Sequence, residues 1–166
     1  MPKLLYFNLQ GRAQAIRYLL ASKGVAFEDQ RLTFEEWPAV KTSGTYGEGP
    51  QMPLWVQDDG KYFMQSRAIL KMLAFEHGYM PENAQQEYEA EWYLSTVVDC
   101  IEMKRDALFV LFNDAPTEEQ VQTCIDAMKI FIDKLEAHYA DGRAHAVGDK
   151  ITYVDFMLLA GMTSMY

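Results

Sequence analysis

The feature that most constrains this chain is the way its apolar period changes along residues 1–77. Residues 3–7 (KLLYF) form a short apolar run punctuated by Gly11, which predicts a strand. Over 12–22, Ala15, Ile16, Leu19 and Leu20 recur at helical spacing. Phe27 to Leu32 alternates apolar and polar residues, as a half-buried strand does. Residues 35–42 predict an irregular helix, and 43–51 (SGTYGEGPQ) are rich in turn formers. Residues 53–57 and 61–64 flank Asp58-Asp59-Gly60, a hairpin signal. Ser66 stands where it can N-cap a helix running to about His77. A parallel pair of strands needs a crossover helix, whereas an antiparallel pair needs only a hairpin. The order β-α-β-α-β-β-α therefore predicts a mixed four-stranded sheet with helices packed on it.

The rest of the chain has no strand pattern. Residues 78–83 (GYMPEN) read as a linker. Residues 84–112 lack Gly and Pro, and Tyr93, Val97, Ile101, Leu108 and Leu111 recur at helical steps. Thr117 with Gln120 forms a capping box, after which Val121, Ile125, Met128, Ile132, Leu135 and Tyr139 make an amphipathic stripe. Thr152 and Asp155 cap a last apolar helix that continues to Tyr166. This predicts modules at 1–77 and 84–166 joined by the linker 78–83.

Charge follows the same division. Residues 1–77 carry 9 basic and 8 acidic side chains, and residues 78–166 carry 6 and 16, so the net charge of −9 averages two unlike parts. An acidic chain without a basic patch has little with which to displace counterions from phosphate, so neither nucleic acid nor an anionic membrane is an expected partner. No apolar run is long enough to span a bilayer, and the start, MPKLLYFNLQGR, does not read as a signal peptide. Two cysteines, Cys100 and Cys124, with no secretion signal predict a reduced, cytoplasmic protein whose thiols are inert core groups. There is no CxxC, HExxH or paired Cys/His set, so no metal site is expected.

Six local motifs stand in register along the chain: Tyr6-Phe7 with Gly11-Arg12-Ala13 and Ile16-Arg17; Trp37-Pro38 with Lys41; Gln51-Met52-Pro53; Gln65-Ser66; Asp99; and Thr152-Tyr153-Val154-Asp155. In order and spacing they resemble the cytosolic glutathione S-transferases, and within them the sigma class, which includes the glutathione-dependent prostaglandin D synthases. The resemblance implies an α/β, thioredoxin-like N-terminal domain with a mixed four-stranded sheet, followed by an all-α C-terminal domain. Against that layout the helical module is short at its C-terminus.

The resemblance also implies roles. Tyr6 donates its hydroxyl to the sulfur of glutathione, favouring the thiolate. Trp37 and Lys41 hold the glycine carboxylate. Gln51 binds a polar group, and Met52, ahead of a cis peptide to Pro53, pairs with the cysteinyl backbone. Gln65 and Ser66 take the γ-glutamyl end, and Asp99 reaches the glutathione of a neighbouring subunit in a homodimer. Phe7, Leu9 and Met103 line a pocket for a small hydrophobic electrophile. Arg12 is open between glutathione binding, that pocket and a structural role. Taken by themselves, Tyr6 reads as a packed strand-end tyrosine, Ser66 as an N-cap, Lys41 as a solvated lysine, Trp37 as core, and Asp99 as a surface or capping acid.

Three functions follow as expectations. The first is conjugation of glutathione to hydrophobic electrophiles in detoxification. The second is glutathione-dependent prostaglandin D isomerisation, which Asp106 disfavours because it stands near the position where such synthases carry a pocket tryptophan. The third is a non-catalytic glutathione-binding or structural relative. A thioredoxin- or glutaredoxin-type oxidoreductase needs a thiol near residue 9 or 10, where Leu9 and Gln10 stand.

Overall fold

A strand flanked on both sides in a sheet that is also covered by helices has no polar face to offer, so its apolar residues run consecutively rather than alternating. In the computed structural model, which describes residues 1–102 and 115–163, this is the situation of β1 (Lys3–Phe7), whose Leu4, Leu5 and Tyr6 are all buried. It pairs in parallel with β2 (Glu28–Leu32) and antiparallel with β3 (Leu54–Val56), and β3 pairs antiparallel with β4 (Tyr62–Phe63). The sheet order is β2-β1-β3-β4. As an edge strand β2 is charged and part-exposed, and only Leu32 is buried.

Between β1 and β2 lie a 3-10 turn, Gly11–Ala13, and α1 (Gln14–Ser22), which buries Ala15, Ile16, Leu19 and Leu20 as the spacing predicts. A short α2 (Trp37–Thr42) buries none of its residues. The β3–β4 hairpin turns through Gln57–Gly60: Gly60 N–H donates to the Gln57 carbonyl at 2.9 Å, and Gly60 has φ +85°. That is a type I turn followed by a left-handed residue, a position for which glycine is the natural choice.

The following helix, α3 (Ser66–His77), buries Ile69, Leu70, Leu73 and Ala74 and packs against α1. Its start corrects one expectation. Ser66 is the first helical residue rather than the N-cap: the Gln65 carbonyl accepts the first helical bond from Ile69 N–H at 2.9 Å, and Gln65 occupies the cap position with φ +72°. A serine hydroxyl next to a helix start cannot be assigned to one cap position from spacing alone, because boundaries shift by a residue. At the other end Gly78 takes the left-handed conformation, and Tyr79 N–H returns to the Ala74 carbonyl at 2.7 Å.

The chain forms two compact units. One comprises Met1–Met80 and the segment from Asp155 on; the other is Pro81–Val154. In the first, Phe156 sets its ring edge-on to Tyr79 at 4.9 Å, and Tyr18 donates to the Thr163 hydroxyl at 3.0 Å. The last helix, α6 (Tyr153–Thr163), thus begins in one unit and continues in the other.

In the second unit α4 (Ala84–Glu102) packs against α5 (Glu118–Tyr139) around Tyr93, Leu94, Cys124, Phe131 and Leu135. The Tyr93 ring stacks on His138 at 3.8 Å, and burial pushes the Tyr93 hydroxyl up to about 12. Tyr153 donates to Glu91 at 2.9 Å; burial first, then that carboxylate, raises its pKa. The α5 stripe is a second correction. Of the predicted residues Leu135 is buried and Met128 and Tyr139 are partly so, but Val121, Ile125 and Ile132 are exposed, while Cys124 and Phe131, outside the predicted stripe, are buried and His138 is partly so. Two adjacent stripes of α5 carry apolar residues, and a period of 3.6 cannot choose between neighbouring stripes of one wide arc. Of the predicted α4 stripe, Tyr93 is buried; the side chains of Val97 and Ile101, and residues 108 and 111, lie outside the described residues.

The capping box is present in both halves: Gln120 N–H donates to the Thr117 hydroxyl at 3.2 Å, and Thr117 N–H to the Gln120 side chain at 2.9 Å. Thr117→Ala is expected to lower the free energy of unfolding by about 0.5–2 kcal/mol, measured by urea denaturation. An unchanged midpoint would show that α5 does not depend on this cap.

Candidate functional site

Strand register brings the predicted site residues to one end of the sheet. Leu5 pairs with Leu54, so the next residues along, Tyr6 and Pro53, face each other where β1 ends and β3 begins. Trp55 pairs with Phe63, which sets the Gln65–Ser66 start of α3 at that same end. Because β2 runs parallel to β1, its exit toward Phe34 and Trp37 lies there too. The carboxyl ends of parallel strands are where open α/β sheets leave a crevice.

Tyr6 is 8% exposed. Its hydroxyl oxygen accepts a hydrogen bond from Arg12 N–H at 3.1 Å. A phenol whose oxygen is held by a backbone donor keeps its own proton for another acceptor, and drawing density from that oxygen makes it a better donor. The Arg12 side chain itself is exposed.

Gly11 makes this contact sterically possible. It has φ +40°, and a Cβ there would stand 2.6 Å from Leu9 Cδ1 and 2.8 Å from the Tyr6 hydroxyl oxygen. The glycine is needed for its backbone angle and for the space its missing side chain leaves to the phenol.

Beside Tyr6 the aromatic side chains form a cluster. The Phe7 ring lies 5.7 Å from Tyr6, 6.5 Å from Trp37 and 4.4 Å from Phe34, the last tilted by 30°. Trp37 is half-buried and Phe34 is 64% exposed, which leaves an accessible aromatic surface. Lys41 is exposed in the last turn of α2. Across the sheet end, Gln65 donates from Nε2 to Gln51 Oε1 at 3.3 Å, and Gln51 N–H points to Met64 Sδ at 3.3 Å. The Met52–Pro53 peptide is cis, as the resemblance implies. Ser66 is half-buried in the first turn of α3, and a helix N-terminus favours an anion.

The structure therefore brings together Tyr6 with Arg12, Phe7 with Trp37, and Gln51 with Gln65. Asp99 is on α4 with its side chain outside the described residues, and Met103 and Asp106 lie outside them entirely. Cys124 is buried, and the Cys100 side chain is also outside the described set. Among the described residues no group of three His, Cys, Asp or Glu could hold a metal, and no helix is long and apolar enough to cross a membrane.

Phe34 escaped the sequence reading, and Arg17, though part of the Ile16-Arg17 motif, was given no role there. Arg17 is buried on α1 and joins the loop ahead of Gly11 to Asp29 of β2. Its signal was a charge inside an otherwise apolar run, Ala15-Ile16-Arg17-Tyr18-Leu19-Leu20. Phe34 carries no periodic signal, because it sits in the connection between β2 and α2.

The family profile described as "Glutathione S-transferase, N-terminal domain" matches residues 2–74. A class-mu 28 kDa glutathione S-transferase isozyme of Schistosoma bovis is 30% identical over 165 residues, covering 95% of this chain and 75% of the relative. The hematopoietic prostaglandin D synthase of Gallus gallus is 31% identical over 160 residues, covering 93% and 74%. Among solved structures, the glutathione S-transferase of Ascaris lumbricoides superposes with a TM-score of 0.82 at 26% identity, covering 98% of this chain and 80% of that one.

Gly11→Ala is expected to destabilise the protein by about 1–3 kcal/mol, since a Cβ at this positive φ meets both Leu9 and the phenol. Chemical denaturation checks it. Wild-type stability in the variant would mean that the Tyr6 hydroxyl is not confined as described.

Proposed function

Because the chain belongs to the glutathione S-transferase family, we propose that it binds glutathione at this end of the sheet and holds its thiol as a thiolate through Tyr6. The thiolate then adds to an electrophilic carbon of a small hydrophobic co-substrate. The observation that carries this reading is the Tyr6 hydroxyl, buried and accepting Arg12 N–H, so that its proton is left for the sulfur.

The magnitudes support it. A free thiol has a pKa of about 8.5. A hydrogen bond to a charged acceptor contributes roughly 1.5–3 kcal/mol, equivalent to lowering that pKa by about one to two units. One tyrosine therefore brings the thiolate close to the main form at neutral pH. Holding the electrophile beside it supplies the rest through proximity. The new bond is sulfur–carbon. The thiol proton has already gone to solvent, and with a halogenated arene the bond that breaks releases halide.

The remaining residues divide the tripeptide between them. Lys41 and the Trp37 indole N–H take the glycine carboxylate. The Met52 backbone ahead of Pro53 pairs with the cysteinyl part. Gln51 binds a polar group of the tripeptide, and Gln65 and Ser66 take the γ-glutamyl end, where the start of α3 offers N–H groups to the carboxylate. Asp99 assists from the second subunit of a homodimer. Phe7 and Leu9 form the apolar wall for the electrophile, and Arg12 stands at its rim. We place the protein in the cytoplasm, acting in detoxification.

The likeness to the Gallus gallus prostaglandin D synthase favours a second reading, isomerisation by the same thiolate. Conjugation of glutathione to a chloronitrobenzene, run beside an isomerase assay, separates the two. Retention on immobilised glutathione without either activity would leave a binding protein, and no retention would contradict both catalytic readings. Tyr6→Phe is expected to cut turnover about ten- to a hundred-fold, the value of one charge-assisted hydrogen bond, while leaving glutathione affinity nearly unchanged. Undiminished turnover would remove Tyr6 from its role.

A further inference from the structure

A guanidinium taken out of water must recover its lost hydration from fixed partners, and where those partners lie shows what the charge organises. Arg17 is 7% exposed, set among the apolar residues with which α1 meets the rest of its unit. Its Nη1 donates to the Leu9 carbonyl at 2.8 Å and to the Gln10 carbonyl at 3.3 Å. Its Nε donates to Asp29 Oδ1 at 3.1 Å. Asp29 Oδ2 in turn takes Arg31 Nε at 2.9 Å, and Arg31 reaches Asn8 Oδ1 at 3.3 Å. One end of this network holds Leu9 and Gln10 and the other holds Asn8, and the two meet at Asp29 on β2.

Those three residues connect Tyr6 and Phe7 of β1 to Gly11 and Arg12. The connection closes on itself when Arg12 N–H reaches the Tyr6 hydroxyl at 3.1 Å. The closure is tight, as the 2.6 and 2.8 Å approaches to a Cβ at Gly11 show. A small movement of Leu9 or Gln10 therefore changes how the backbone donor meets the phenol. The Arg17 guanidinium carbon also lies 5.9 Å from the centroid of the Tyr6 ring, at the limit of cation–π distance, so its main hold is on the loop. Arg17 Nη2 is buried without a hydrogen-bond partner. Packing alone needs no charge at this point, since an apolar residue of similar length fills the space without the desolvation cost.

The geometry points to Arg17 as a positioning residue for the thiolate-forming step: it fixes the Leu9–Gln10 carbonyls so that Arg12 N–H engages the Tyr6 hydroxyl, and so sets how strongly Tyr6 donates to sulfur. This rests on the reading of Tyr6 given above. It adds a residue that touches neither substrate, acting through a loop.

The test uses the full chain with Arg17→Met, Arg17→Lys, Tyr6→Phe and the double variant Tyr6→Phe/Arg17→Met. The readouts are the pH profile of kcat/KM for conjugation to a chloronitrobenzene, glutathione affinity by calorimetry, and thermal stability. Arg17→Met is expected to move the apparent pKa of the profile upward by about one unit, a roughly tenfold loss of rate on the acidic side. Glutathione affinity changes less than about threefold. Arg17→Lys, which keeps the charge but not the fork, falls between. Adding Arg17→Met to Tyr6→Phe produces little further shift, because both act through one phenol. A folded Arg17→Met protein with the wild-type pH profile overturns the proposal, as does full additivity with Tyr6→Phe. Should Arg17→Met not fold, Arg17→Lys and Asp29→Asn decide, and wild-type profiles in both overturn it. If Tyr6→Phe itself keeps the wild-type profile, the reading of Tyr6 fails, an outcome distinct from failure of the Arg17 proposal alone.

Discussion

The hydrogen bond from Arg12 N–H to the Tyr6 hydroxyl joins the end of the central strand to the first turn before α1, and the other features of the site are arranged around it. It requires a tyrosine at the last buried position of a strand flanked on both sides, which the consecutive burial of Leu4, Leu5 and Tyr6 provides. It requires a residue without a side chain at Gly11, because the phenol fills that space. It requires a connecting loop that holds its shape, and the Arg17–Asp29–Arg31 network grips that loop from β2. Each requirement is met by a different kind of interaction: sheet packing, backbone freedom, and buried electrostatics.

A net charge of −9 looks unsuited to an anionic tripeptide, but the overall charge describes neither end of this molecule. The first 77 residues are nearly balanced, and on the proposed reading the sheet end meets the ligand with directional donors rather than a diffuse positive field: the Tyr6 hydroxyl and the start of α3. Fixed donors aimed at one group act at short range, where screening by salt and by distant carboxylates matters least. Long-range attraction of the ligand is weak in such a design, so affinity depends on the geometry at contact.

Much of the fold was legible because local signals and long-range packing agreed. The Asp58-Asp59-Gly60 turn, the unbroken KLLYF run and the Thr117–Gln120 box each have one physical solution, and the structure adopts it. Where a pattern had two solutions, the sequence could not choose. Ser66 is suited both to capping a helix and to beginning one, and the structure makes Gln65 the cap. The apolar arc of α5 contains two stripes, and Cys124 and Phe131 are buried beside Leu135 where Val121, Ile125 and Ile132 are exposed. Of the site, the cis Met52–Pro53 peptide is as family likeness implied, while the hydrogen bond of Gln65 to Gln51 and that of Arg12 N–H to Tyr6 had no signal in the sequence. Arg17 was the least visible. A buried charge declares its purpose only through its partners, and those partners are backbone carbonyls and an acid on another strand.

The account turns on the state of one sulfur. Titrating the wild-type protein with bound glutathione, and following the ultraviolet absorbance of the thiolate against pH, reads that state directly. The account predicts a bound-thiol pKa about one to two units below the free value of about 8.5. A bound thiol that titrates at the free value would contradict it.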